Sequence, residues 1–292
     1  MSALSPAVVA ATRDLELAAR LAVEGWRSGA HRSPFHGYNA EFSQHRPYRI
    51  GDDLKYLDWK ILARTDRLYS RQFRETTSMS VMLVLDASAS MAFPEAGISK
   101  HRYSAIVAAA LAYVIITQGD SVGLMTMADR RLQYLPARGG RLHLRSLIAR
   151  IDALEPAGEW QPERVIARSA ELLDRRGIII VLSDFYDAEA ETRRELRRAA
   201  RRGHDIAMLQ VVSPEETTFP YRGALAFEDL ESGRQQLIDA GAIADAYRSN
   251  VGAFLQRCRE HALADGFDYA LLSTDTPPET ALREFLLRRR AR

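Results

Sequence analysis

The chain has 292 residues, enough for one large domain or two modest ones, and its 47% hydrophobic content supports a substantial core. The balance of 40 basic against 38 acidic side chains leaves a formal net charge of +2, which excludes the broad basic footprint of a general nucleic-acid binder. One cysteine, Cys258, excludes an internal disulfide and fits a reducing compartment.

Residues 5–24 have helical spacing, with Leu15, Ala18, Ala19 and Ala22 on one side. The acid-bearing start lacks the basic leader of a secretory signal. Residues 25–66 are rich in Gly, His, Arg, Asp and aromatics and show no regular period. They are too aromatic for a disordered linker. Residues 68–73 alternate as a strand does. From residue 79 strands and helices alternate: strand 81–85, helix 103–118, strands 122–127 and 132–135 with the second antiparallel, and helix 142–154. A loop at 156–162 leads to helix 164–174, the very apolar strand 178–182, helix 189–202 and strand 206–212. Segments 225–229 and 235–239 read as a β-hairpin, followed by helix 243–264, strand 267–273 and helix 279–290. The longest apolar stretch, Ala105–Ile116, has 12 residues, short of the ~20 that span a bilayer. A cytoplasmic protein without a membrane span is expected.

This alternation predicts an α/β fold, a doubly wound, mostly parallel sheet with helices on both faces. The expected organisation is an N-terminal helix and Arg/Asp-rich segment over 1–78, packed on an α/β domain over 79–292 that carries a hairpin insertion at about 213–240.

The most informative stretch is VMLVLDASASM, residues 81–91. An apolar run buried on both faces ends in Asp86, Ser88 and Ser90 at alternate positions. A second apolar strand ends in Ser183-Asp184. Ligands collect at the carboxyl ends of strands in open α/β sheets, and hard oxygen donors suit Mg²⁺ or Mn²⁺. Asp86 and Ser88 as simple helix caps would explain one oxygen but not the whole set.

Enzyme signatures are missing around these residues. Ser88 stands where a haloacid-dehalogenase phosphatase needs its second aspartate. Ala87 and Ala89 flank Ser88 where a hydrolase elbow needs glycines. No P-loop sequence occurs, and the seven histidines form no zinc spacing. Two alternatives remain: metal-dependent hydrolysis of phosphoesters through Asp86 and Asp184, and nucleic-acid association through the six arginines of Arg193–Arg202. A solvated helix face is the plainer reading of those arginines.

The D-x-S-x-S loop followed by a later strand ending in S-D resembles the metal-ion-dependent adhesion site of von Willebrand factor type A domains. Upstream, Arg46, Tyr48, Gly51, Asp52, Asp53, Leu57, Asp58, Trp59, Ala63, Arg64 and Thr65 form a block that resembles the bacterial family named domain of unknown function 58. That resemblance implies a non-enzymatic protein–protein interaction module. Asp86, Ser88, Ser90 and Asp184 would hold Mg²⁺ or Mn²⁺, and an acidic side chain of a protein partner would complete the site. It implies further that a MoxR-type AAA+ ATPase is that partner. Von Willebrand-type domains usually bring a Thr from a middle loop. The corresponding loop here, residues 155–163, has none and offers Glu159, Trp160 and Gln161. The Arg46–Thr65 block itself is expected to be an internal polar network, with Trp59 as its apolar anchor beside Asp58.

Overall fold

The computed structural model describes residues 14–27, 41–48, 57–65, 67–74, 79–173, 176–186, 188–231 and 233–290. They fall in two compact units, one drawn from residues 35–79 and the other from residues 1–34 and 80–292.

The smaller unit is an antiparallel ribbon of β1 (Glu41–Pro47) and β2 (Tyr69–Arg74), with a short helix α2 (Trp59–Thr65) between them in sequence. The region read as lacking regular structure therefore contains a strand and a helix. The sequence EFSQHRP has no clean alternation, and the strand is defined by its antiparallel pairing with β2. Asp58 caps α2 by accepting the Ile61 amide at 3.2 Å. Trp59 is not the buried anchor expected: it opens α2 with 61% of its surface exposed, while Leu57 is buried two residues earlier. Gly51, Asp52 and Asp53 of the sequence block lie outside the described residues.

The larger unit is a six-stranded sheet. Its strands are β3 (Ser80–Asp86), β4 (Ser121–Ala128), β5 (Arg131–Arg138), β6 (Ile178–Ser183), β7 (Asp205–Val212) and β10 (Asp268–Ser273). They lie in the order β10-β7-β6-β3-β4-β5, all parallel except β5. β5 returns through a two-residue turn in which Asp129 and Arg130 both have positive φ, 47° and 60°, the geometry that closes a tight hairpin. β6 is wholly buried and β3 nearly so, as central parallel strands covered on both faces must be. Against them pack helices α3 (Lys100–Thr117), α4 (Arg141–Asp152), α5 (Pro162–Leu172), α6 (Glu189–Arg201), α8 (Ala240–Ala264) and α9 (Pro278–Arg290). α3 is buried around nearly its whole circumference. The N-terminal helix α1 (Leu15–Arg27) lays Leu15, Ala18, Ala19 and Ala22, the face expected from the sequence, among buried residues and packs on α3 and α9.

Between β7 and α8 the chain makes a five-residue helix α7 (Pro214–Thr218) and the hairpin β8 (Ala224–Glu228) and β9 (Gln235–Asp239), whose strands pair only with each other. Among the described residues no helix is long and apolar enough to cross a membrane.

The two central strands approach tightly at their start. A Cβ on Gly177, just before β6, would lie 2.4 Å from the Ser80 backbone carbonyl oxygen. Gly177→Ala is therefore expected to cost about 1–3 kcal/mol of stability, read as a lower urea midpoint at unchanged slope. An unchanged midpoint would show that the strand ends have room to part.

Candidate functional site

The sheet reverses its winding between β3 and β6. From β3 the chain proceeds to β4 and β5 on one side, and it returns to β6, β7 and β10 on the other. The crevice at that switch point is where this class of sheet collects ligands. Leu85 pairs with Leu182, so the next residues, Asp86 and Ser183, emerge side by side. Ser183 Oγ donates to Asp86 Oδ2 at 2.5 Å, and the Ser88 amide donates to Asp86 Oδ1 at 2.9 Å. Ser88 Oγ and Ser90 Oγ are 3.1 Å apart, and Ser90 Oγ donates to Asp184 Oδ2 at 3.1 Å. All four residues singled out in the sequence, Asp86, Ser88, Ser90 and Asp184, thus meet at one point. Ser88 precedes a 3-10 turn (Ala89–Ala92) but its side chain makes no capping bond, so capping does not account for it.

The backbone around the site is held from several directions. Phe185 has a left-handed φ of 60° and is buried; its amide donates to Ser183 Oγ at 3.0 Å and that of Tyr186 to Asp184 Oδ1 at 3.2 Å. Buried Gln210 of β7 donates to the Asp184 carbonyl at 2.8 Å. The middle loop is fastened by main chain: Ala89 N donates to Gly158 O and Ala157 N to Ala87 O, each at 2.9 Å. Trp160 turns into the core beneath α5 and α6, with Nε1 donating to Thr192 Oγ1 at 3.3 Å. The position expected to bring a Thr hydroxyl therefore brings an indole, packed away from the serines.

Two residues that the sequence reading missed complete the cluster. Lys100, on the first turn of α3, is only 1% exposed, and its Nζ lies 2.6 Å from Asp184 Oδ2 and 2.6 Å from Glu216 Oε1. Burial works against the ammonium, but the two carboxylates outweigh it and raise the Lys100 pKa. Burial raises that of Glu216 despite Lys100. A signal for each was present. Lys100 opens a helix that runs on into the long apolar stretch from Ala105. Ser213, Pro214 and Glu216 make a capping box, which fixes Glu216 by its own bond to the Ser213 amide at 2.8 Å.

Asp86 contrasts with Asp184. Among the described residues no lysine or arginine forms an ion pair with it. Burial first, and the nearby Asp184 charge second, push its pKa from 3.8 to about 7, against the bonds from Ser183 and Ser88. A buried carboxylate in this state calls for a proton or a cation. The hydroxyls of Ser88 and Ser90 and the carboxylates of Asp86 and Asp184 are hard donors that fit Mg²⁺ or Mn²⁺. Among the described residues no three His, Cys, Asp or Glu side chains are grouped to hold a metal, so a cation here would depend on the serine hydroxyls.

The arginine stripe of α6 is largely committed to ion pairs. Arg193 and Arg197 share Asp265, and Arg194 and Arg198 share Glu195. Cys258 is buried, and burial pushes its thiol up to about 12, the state of an inert core cysteine.

A doubly wound sheet of this order, with one antiparallel edge strand and a D-x-S-x-S loop at its switch point, defines a von Willebrand factor A-like domain. Residues 44–260 match the family model for Protein of unknown function DUF58, and the chain belongs to that family. It is 29% identical over 268 residues to Uncharacterized protein Mb1516 of Mycobacterium bovis, covering 87% of this chain and 83% of that one. It is 26% identical over 149 residues to Uncharacterized protein YeaD of Bacillus subtilis, covering 49% of this chain and 35% of that one. Among solved structures, an aerotolerance-related membrane protein from Bacteroides fragilis superposes with a TM-score of 0.50 at 17% identity, over 72% of this chain and 100% of that one. BatB from Bacteroides thetaiotaomicron gives a TM-score of 0.49 at 18% identity, over 74% and 100% respectively.

Proposed function

We propose that this chain is a non-enzymatic protein–protein interaction module whose docking edge is the crevice at the carboxyl ends of β3 and β6. The observation that carries the reading is the convergence of Asp86, Ser88, Ser90 and Asp184 at the switch point of a von Willebrand factor A-like sheet. Mg²⁺ or Mn²⁺ held by these four residues would supply a positive charge for an acidic side chain of the partner. Asp86 answers to such an ion most directly, because it is the carboxylate without a cationic neighbour. Lys100 has a different part: its single charge is shared between Asp184 and Glu216, offsets half of theirs, and ties the two walls of the crevice together without any metal. The partner we favour is a MoxR-type AAA+ ATPase, the protein served being assembled or regulated in the cytoplasm. The family membership supports that partner, and the single buried cysteine supports the compartment.

The test is capture of partners from native lysate by the wild-type chain and by Asp86→Ala, each with millimolar Mg²⁺ and with EDTA. Enrichment of an AAA+ ATPase that needs both Asp86 and the metal is the expected result. Equal capture by wild type and Asp86→Ala in both buffers would remove this edge from the interaction.

A further inference from the structure

A cavity of about 600 Å³ opens beside the docking edge; it shares Ser90, Lys100 and Glu216 with that edge, and the rest of its lining has no part in the reading above. Ser90, Phe93, Lys100, Tyr186 and Glu216 close its inner end, Glu159 stands on its rim, and α7, the β8–β9 hairpin and α8 supply the outer wall. Its lining combines six aromatic rings with five carboxylates against one ammonium. The aromatic part is centred on Phe219, which α7 ends in a left-handed conformation with φ 47°. Its ring lies 4.3 Å from Tyr247, 5.2 Å from Tyr221 and 5.7 Å from Phe227, centroid to centroid. Those three partner rings are only half-buried, so they offer ring surface to whatever enters.

We infer that this cavity binds an organic cation, a guanidinium or alkylammonium group, between its aromatic rings and the Glu215 carboxylate. Three observations carry this. Aromatic faces attract cations through their quadrupole, and the attraction grows when the site is shielded from water. The molecule already holds one ammonium in this way, because Lys100 Nζ lies 5.2 Å from the Tyr186 ring centroid and 6.0 Å from that of Phe93 at the inner end. Finally, Glu215 Oε2 and Tyr186 Oη are buried atoms with no hydrogen-bond partner, a costly state for native polar groups. Both residues line the cavity, and a small shift of either side chain would bring these atoms to a cation bearing several N–H donors. The tyrosines register the same negative field: after burial, the Glu215 and Glu216 carboxylates raise the Tyr221 phenol, and Glu216 raises that of Tyr247. A carboxylate ligand is disfavoured by the same charges, so this cavity selects the opposite sign from the metal-assisted edge next to it.

Calorimetric titration of the full chain in EDTA tests the inference with three probes: spermidine, a capped Gly-Arg-Gly peptide, and the same peptide with citrulline for arginine. We expect saturable binding of at least one cation, weakened roughly ten-fold or more by the neutral citrulline. Glu159→Gln, on the exposed rim, and Glu215→Gln are each expected to weaken it about three- to ten-fold, as loss of one solvent-weakened polar contact does. Binding of the arginine peptide alone assigns the site to a side chain of a protein, and binding of spermidine alone assigns it to a free polyamine. No saturation by either cation up to about 10 mM, a threshold of about −2.7 kcal/mol of affinity, or equal binding of the citrulline peptide, overturns the inference. Because metal is absent and Asp86 is untouched, failure here leaves the docking reading standing. Loss of partner capture in Asp86→Ala, in turn, says nothing about the cavity.

Discussion

Lys100→Met is expected to destabilise the fold by about 3–5 kcal/mol, the usual consequence of removing one member of a buried ion cluster. The side chain it replaces is almost wholly buried and is the cation shared by Asp184 and Glu216. Methionine fills the space of the stem but leaves two carboxylates facing each other in a shielded site, with Asp86 a third charge nearby. The penalty is thus chiefly electrostatic, and a second variant shows it. Glu216→Gln and Asp184→Asn introduced together with Lys100→Met take away the stranded charges and are expected to restore part of the loss. Urea denaturation of the wild type, the single and the triple variant at pH 7.5 measures this. If the single and triple variants are equally unstable, the loss comes from packing, and the ion cluster is not what holds α3 and α7 to the strand ends.

That cluster also marks the boundary of what could be read from the chain. β3 and β6 were legible because central parallel strands are buried on both faces and so appear as unbroken runs of branched residues. Asp86, Ser88, Ser90 and Asp184 were legible for a related reason: they follow those runs directly, so strand order alone brings them together. Lys100 and Glu216 reach the same point by another route. They stand 84 and 32 residues from Asp184 in the chain, one at the start of a helix and the other on a helix of five residues. Only the packing of α3 and α7 over the strand ends unites them, and no local period reports such packing. The aromatic cavity is of the same kind, since Phe219, Phe227 and Tyr247 come from three separate elements. Trp59 failed for the opposite reason. A tryptophan beside an aspartate suggested burial, but Leu57 took the buried position and the indole was left outside. The missing Thr of the middle loop was legible as an absence. Its structural meaning, an indole packed away from the serines, depends on how Trp160 packs beneath α5 and α6, which no local pattern reports.

Asp86 gives the second large effect, through pH. Its native pKa of about 7 lies above the 3.8 of an unperturbed carboxyl. Between those values the folded chain keeps a proton that the unfolded chain has released, so stability must fall as pH rises through this window and then level off above about 7. A shift of this size corresponds to a loss on the order of 4 kcal/mol between pH 4 and pH 8, measured in EDTA and taken relative to Asp86→Asn to cancel the titrating groups that do not interact with Asp86. The Asn variant keeps an acceptor for the Ser88 amide and carries no charge. It is therefore expected to be less pH-dependent than the wild type and more stable above pH 7, even after some weakening of the bond from Ser183. Millimolar Mg²⁺ should act in the opposite direction on the wild type. A cation favours the deprotonated carboxylate, so its stabilising effect should be largest at pH 8, shrink toward pH 5 and be absent from Asp86→Asn. If Asp86→Asn is less stable than the wild type at pH 8 in EDTA, the buried carboxylate is satisfied by its hydrogen bonds alone and has no need of a cation. If the variant is more stable and only the wild type responds to Mg²⁺, the carboxylate at the end of β3 is held in a state that folding disfavours and that a bound cation relieves.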